Sequence, residues 1–259
     1  MFRGELRTGL AIAEETLGLA ERLGDPHVLS HGHYVMGLLH RHLGDLAAAR
    51  RHLEAGLALY DPERDRAEAA RYGFDTCSVC HAVLGWVFWD QGYPDQALRH
   101  AEEAIAAARA AAHPLSDAFA LSFAAMLHQL RGEVALCRER AEAALALATE
   151  QVLPYWAAYA IVLSGWALVE EGQEEDGLVR LRAGIDANRA TGAKVRGPQW
   201  LALVAESCFA AGRMEEGLSA VREALAETEE TAARYYDAEL NRLEGELLLA
   251  SKEPDECRA

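Results

Sequence analysis

The stretch SGWALVEEGQEEDGLVRLRAGI, residues 164–185, decides the fold. Gly172 stands between two helical patterns, where a left-handed C-cap conformation is cheap only for glycine. Gly165 lies seven residues before it, in the first helix. Gly177 and Gly184 lie five and twelve residues after it, two turns apart on one face of the second. Small side chains at these points let paired helices approach closely. Ile185 follows at plus thirteen, placed to fill the interface with the next pair.

The same pattern recurs along the chain. With Gly44, Gly92, Gly132, Gly172 and Gly212 as anchors, the steps are 48, 40, 40 and 40 residues. Seven before each anchor stand Gly37, Gly85, Ala125, Gly165 and Ala205. Five after stand Ala49, Ala97, Cys137, Gly177 and Gly217, and twelve after stand Gly56, Ala104, Ala144, Gly184 and Ala224. All are small. Thirteen after come Leu57, Ile105, Leu145, Ile185 and Leu225, all aliphatic. Agreement across four columns identifies an internal repeat. Asp45, Asp95, Glu133, Glu174 and Glu215 sit at or just after the second-helix starts, where they favour the positive end of the helix dipole. Pro114, Pro154 and Pro198 sit near first-helix starts, where the missing N–H costs nothing.

Composition agrees. The chain has 259 residues, 51% of them hydrophobic, and only seven prolines. Alanine, leucine, glutamate and arginine dominate, a helix-favouring mix. The net charge is −16, and Lys194 and Lys252 are the only lysines. A phosphate-binding surface needs clustered cations, so nucleic acid and anionic membrane are not expected partners. Met1-Phe2-Arg3-Gly4-Glu5 leads into an amphipathic segment, not a signal peptide. No apolar stretch reaches the length of a membrane span. Five cysteines in such a chain suggest reduced thiols, and a cytoplasmic setting is expected.

The blocks Val83-Leu84-Gly85…Gly92-Tyr93…Ala97…Ala104 and Ser164-Gly165…Gly172…Gly177…Gly184 resemble the tetratricopeptide repeat family. The resemblance covers nearly the whole chain. It departs in period, since about 34 residues is usual, and in lacking a regular aromatic after the plus-five position. Longer, alanine-rich units look like the C-terminal arrays of large bacterial signalling proteins. Those chains join a predicted ATPase of the STAND type to an adenylate/guanylate cyclase, kinase or DNA-binding output domain. The resemblance implies an all-α, right-handed superhelical solenoid of antiparallel helix pairs, about 12 helices in one domain over 1–259. Its expected parts are a half-unit at 4–26, repeats at 27–66, 67–114, 115–153, 154–197 and 198–231, a terminal helix at 232–251 and a tail at 252–259. Gly4, Gly9 and Leu17 fit the anchor, plus-five and plus-thirteen columns. Gly245 lies forty residues after Ala205, on a helix striped by Leu240, Leu243 and Leu247. The chain thus reads as beginning and ending in mid-unit, as a segment of a longer protein would; a self-contained protein with a lone N-terminal helix is the alternative. The 48-residue step is traced to the charged break Asp61-Pro62-Glu63-Arg64-Asp65-Arg66, followed by one long helix over about Ala67 to Gln91.

Constellations that suggest chemistry read better as structure. Cys77-Ser78-Val79-Cys80-His81 matches the CxxCH text of haem attachment. It falls in a first helix, without a second CxxC to complete a zinc site, and Cys80 and Ser78 suit small core positions. His27, His31, His33, His40, His42 and His52 cluster early, but His33 and His40 occupy core columns. No G-x-S-x-G, phosphate-cradling loop or HExxH occurs. Pairs such as Glu102-Glu103 read as solvated surface. The reading is no enzyme, no metal and no cofactor.

In tetratricopeptide stacks the first helices line a concave face. The resemblance places there the residues thirteen, ten, six, three and two before each anchor. The first pair gives Tyr34, Leu38, Arg41 and His42, and the second Trp86, Trp89 and Asp90. The third gives Phe119, Ser122, Met126 and Gln129, the fourth Tyr159, Trp166 and Glu170, and the fifth Glu206 and Phe209. Exposed aromatics in a concavity suit recognition. The expected function is a scaffold that binds a protein or peptide there, as the sensor or regulatory arm of a larger bacterial signalling protein. A small-molecule inducer sensor, taking an apolar or sugar ligand in the same groove, is the alternative. Self-association to a homodimer through the open ends is a further expectation. Packing of the same aromatics into the core is the competing structural reading.

Overall fold

A computed structural model describes residues 5–256. Met1 to Gly4 lie outside them, and with them the opening anchor and the N-terminal segment read above; so do residues 257–259 of the tail. Among the described residues there are thirteen α-helices and no strand. They are α1 (Leu6–Leu23), α2 (Pro26–His42), α3 (Leu46–Leu59), α4 (Pro62–Tyr72), α5 (Thr76–Asp90), α6 (Pro94–Ala111) and α7 (Pro114–Leu130). Then come α8 (Val134–Glu150), α9 (Pro154–Glu170), α10 (Glu174–Ala190), α11 (Gly197–Ala210), α12 (Met214–Thr231), a 3₁₀ turn (Arg234–Tyr236) and α13 (Asp237–Glu256).

Neighbours pair as α2/α3, α5/α6, α7/α8, α9/α10 and α11/α12. The first helices also touch in series, α2 on α5, α5 on α7, α7 on α9, α9 on α11 and α11 on α13, which builds one layer of a solenoid. All five anchor glycines have positive φ, from +69° to +87°. Each is followed by the same closure. At Gly172 its N–H donates to the Val169 carbonyl, and the Gln173 N–H donates to Leu168. The pairs Gly44/Asp45, Gly92/Tyr93, Gly132/Glu133 and Gly212/Arg213 repeat it. This is the Schellman arrangement, which satisfies carbonyls that a helix end leaves open.

The small columns mark where helices touch. A Cβ on Gly165 would lie 2.6 Å from the Leu181 nitrogen, and one on Gly177 would lie 2.7 Å from the Val169 nitrogen. The α9/α10 pair therefore meets backbone to backbone. Gly85 approaches the Ala97 carbonyl in the same register.

Two expectations change. The single helix over Ala67–Gln91 is in fact two, α4 and α5. Gly73 (φ +84°) ends α4, and the Asp75 carboxylate caps α5 by accepting from the Ser78 N–H. The extra residues of the long step thus form a helix of their own, outside the pairing of α3 with α5. A buried contact between His27 Nδ1 and Asp65 Oδ1, at 2.8 Å, ties α4 to α2. At the other end, α13 continues through Glu256, past the expected stop at Ser251.

The stack also closes on itself. Val195 and Ala233, from the α10–α11 and α12–α13 connections, are buried in one cluster with Leu6, Leu17, Met36 and Leu39 of α1 and α2. The Tyr235 ring lies 5.2 Å from His42. Late connections therefore pack across the first-helix layer and dock on α1 and α2. No described helix is long and apolar enough to cross a membrane.

Candidate functional site

The first helices converge on an aromatic interior organised around two arginines. Trp86 stacks on Phe123 at 4.0 Å and donates its Nε1–H to the Phe123 carbonyl. Phe119 stacks on Phe123, and Tyr159 meets Trp200 edge-on at 4.6 Å. Arg196 lies over Trp86 at 3.8 Å and donates to Gln199 Oε1 at 2.8 Å. Arg41 lies over Trp86 at 4.6 Å and over Tyr235 at 4.8 Å. Both arginines are 2% exposed. Aromatic faces and hydroxyl or amide oxygens supply much of the stabilisation that water would give these cations. Burial and both guanidiniums push His42 well below its ordinary pKa, so it sits there neutral.

Beside this interior a cavity of about 630 Å³ opens. Seven of the expected residues line it: Arg41, Trp89, Asp90, Gln129, Trp166, Glu170 and Glu206. Gln199, Tyr235, Tyr236, Glu239 and Arg242, outside the expected set, complete much of the wall. Gln199 stands thirteen residues before Gly212, in a groove column of the register, whereas the others come from the 3₁₀ turn and α13, which no anchor glycine follows. An adjacent tyrosine pair beside Arg234 was the available signal.

The other expected residues lie elsewhere. Tyr34, Leu38, Trp86, Phe119, Ser122, Met126 and Tyr159 are buried in the interior, at 4% exposure or less, and His42 is buried against Tyr235. Their packing explains why they sit in first-helix columns without reaching the cavity. Phe209 is exposed outside the cavity wall.

The charges of the wall are uneven. Arg41 Nη2 pairs with Asp90 Oδ2 at 2.9 Å, and Arg242 pairs with Glu239. Glu170 and Glu206 have no ion-pair partner among the described residues. Burial, and then the Glu239 carboxylate, raise Glu206 to about 7 against the opposing pull of the Arg242 guanidinium, with Glu170 and Glu246 adding to the rise. Burial also pushes Asp90 up and Arg41 down despite their pairing. Arg41 Nε and Nη1 and Gln129 Oε1 are buried without a hydrogen-bond partner among the described residues. Such groups are costly to leave unmatched, and here they border a space able to admit a ligand.

Residues 30–55 and 78–103 each match the tetratricopeptide repeat. The fold is of the tetratricopeptide type. Among solved structures the chain is similar to BtubC (BKLC) from P. vanneervenii, with a TM-score of 0.57, 16% identity, and 86% of this chain and 91% of that one covered. It is also similar to aspartyl phosphate phosphatase F from Bacillus subtilis, with a TM-score of 0.55, 12% identity, and 93% of this chain and 61% of that one covered. An uncharacterized protein of Rhizobium meliloti (strain 1021) is 25% identical over 231 residues, 89% of this chain. The chain spans 22% of that relative's length. At these identities the solved tetratricopeptide-like structures bear on the fold alone.

Proposed function

We propose that this tetratricopeptide-type scaffold is a non-enzymatic recognition module that takes a cationic side chain of a protein or peptide partner into the concave cavity. The carrying observation is the excess of negative charge on an aromatic wall. Asp90 and Glu239 are matched by Arg41 and Arg242, whereas Glu170 and Glu206 are unmatched beside Trp89 and Trp166. A guanidinium or ammonium group would meet carboxylates and ring faces together. Tryptophan, tyrosine and arginine are also the side chains that carry most binding energy at interfaces. As a role in the cell, we infer the recognition arm of a larger bacterial signalling protein; the length of the Rhizobium relative supports that reading.

One observation favours a second reading. The space that Tyr235 and Tyr236 help to line has a volume of about 630 Å³, within the range of small-molecule sites. A free organic cation would suit the same wall.

Calorimetric titration with arginine-containing peptides, their glutamine counterparts and free arginine separates these readings. Glu170→Gln with Glu206→Gln is expected to weaken peptide binding by about tenfold or more. Equal binding of the glutamine peptides, or no effect of the double substitution, refutes cation recognition. Tight binding of the free cation alone selects the small-molecule reading.

A further inference from the structure

We propose that His81, His100 and Glu103 form a binding site for one divalent transition-metal ion of the zinc type, away from the concave cavity. His81 comes from α5. His100 and Glu103 come from α6, three residues apart and so on one face. Helix pairing brings their ligand atoms into a triangle. His81 Nδ1 is 2.8 Å from His100 Nδ1 and 3.1 Å from Glu103 Oε2, and His100 Nδ1 is 3.4 Å from Glu103 Oε2. Tetrahedral zinc, with bonds of about 2.0–2.2 Å, separates its donors by about 3.3 Å. The three atoms already have nearly the spacing of one face of such a site.

Hydrogen bonding alone serves this triangle poorly. Two facing Nδ1 atoms share one proton between neutral rings, and an ionised carboxylate only accepts. A cation at the centre meets all three lone pairs at once. Burial pushes both imidazoles below their ordinary pKa, His100 to about 4 with His81 contributing. Neutral rings are the form that binds metal. Phe88 stacks on His100 at 5.0 Å and 8°, which holds the ring plane. The side chains of His81 and His100 are 17% and 11% exposed and that of Glu103 is 44% exposed, so the site opens to solvent on the carboxylate side. Water would complete the coordination there. Arg99 lies 3.9 Å from the other Glu103 oxygen and steadies the carboxylate from outside the triangle.

The preceding helix pair supplies an internal control. His33 and His52 hold the same positions relative to Gly44 that His81 and His100 hold relative to Gly92, and their Nδ1 atoms are 3.0 Å apart. The position equivalent to Glu103 is Ala55. There His40 stacks on His52 and Asp45 lies 3.8 Å from His40, but no carboxylate joins the His33 and His52 Nδ1 atoms in a close triangle among the described residues. Later pairs have Leu121 with Arg140 and Ile161 with Arg180. The full donor set therefore stands at the second pair.

The test is titration of the chelator-treated full chain with Zn²⁺ by calorimetry and with Co²⁺ by visible absorption, reversed by EDTA. One ion per chain is expected, with a rise in melting temperature. Changes to outer-shell partners alone cost metal sites about 10- to 100-fold in affinity, so Glu103→Gln and His81→Asn are each expected to cost at least about tenfold. Circular dichroism checks that both variants keep their helicity; Glu103, being half exposed, is the safer of the two. His33→Ala with His52→Ala is expected to leave the one strong site intact. Absence of binding to the wild type, wild-type affinity in Glu103→Gln, or loss of the site in the His33/His52 variant overturns the proposal.

Discussion

Gly165→Ala adds a single methyl group where two helices meet backbone to backbone. Its Cβ would stand 2.6 Å from the Leu181 nitrogen, 3.0 Å from the Leu181 Cα and 3.0 Å from the Gly177 carbonyl oxygen. All three are backbone atoms, so no rotamer change relieves the clash. Reaching ordinary contact requires α9 and α10 to separate locally by about 0.8 Å, a gap that forfeits a quarter to a half of the dispersion well for neighbouring contacts. Overpacking of this kind costs about 1–3 kcal/mol. The backbone nature of the clash puts it at the upper end. Replacing a helical glycine by alanine returns about 1 kcal/mol. The expected net loss is about 2 kcal/mol, or a fall of about 4–8 °C in melting temperature for a chain of this size. Gly245→Ala is the matched control. A Cβ there meets nothing within 4 Å, and the residue is exposed on α13. It should gain about 1 kcal/mol from propensity alone. The assay is thermal and urea unfolding by circular dichroism, with amide exchange to locate the effect. Exchange should quicken in α9 and α10 and change little in α2 and α3, because a stacked repeat confines damage to neighbours. A Gly165→Ala protein as stable as the wild type would refute close approach as the reason for the small columns.

Two more perturbations test the interior and the cavity wall. Trp86→Ala should destabilise by about 3–5 kcal/mol in urea unfolding, because it removes a fully buried ring on which Arg41 and Arg196 both rest. Glu206 carries a folded pKa of about 7, raised by burial from an ordinary 4.5, so the folded state holds a proton that the unfolded chain releases between those values. Stability should therefore fall as pH rises from about 4.5 to about 7, by about 3 kcal/mol at most, and Glu206→Gln should flatten that fall. Binding of a cationic peptide should strengthen over the same interval as the carboxylate ionises.

The helix pairs were legible because their determinants are local. Glycine at a C-cap, a carboxylate or proline at a helix start and small residues two turns apart act within one unit, so five copies made the register readable. The split between α4 and α5 escaped because an apolar run outweighed Gly73 and Asp75, the two residues that end one helix and cap the next. Closure of the stack was not legible, since Tyr235 meets His42 across nearly the whole chain and no forty-residue period encodes that contact. The same closure divides the expected groove residues. Arg41, Trp89, Asp90, Gln129, Trp166, Glu170 and Glu206 border the remaining space, while residues such as Trp86, Phe119 and Tyr159 are sealed within. The His81–His100–Glu103 triangle escaped for a related reason: its members occupy different columns and meet only when α5 and α6 pair.

The claim that the cavity is the recognition site is tested most directly by ¹⁹F NMR of the protein labelled with 5-fluorotryptophan. The five tryptophans report from distinct places. Trp89 and the largely buried Trp166 line the cavity, whereas Trp86, Trp156 and Trp200 are absent from its wall. Titration with an arginine-containing peptide should shift the Trp89 and Trp166 signals together, to saturation, and leave the Trp156 and Trp200 signals in place. Saturable peptide binding that moves neither Trp89 nor Trp166 would contradict the account.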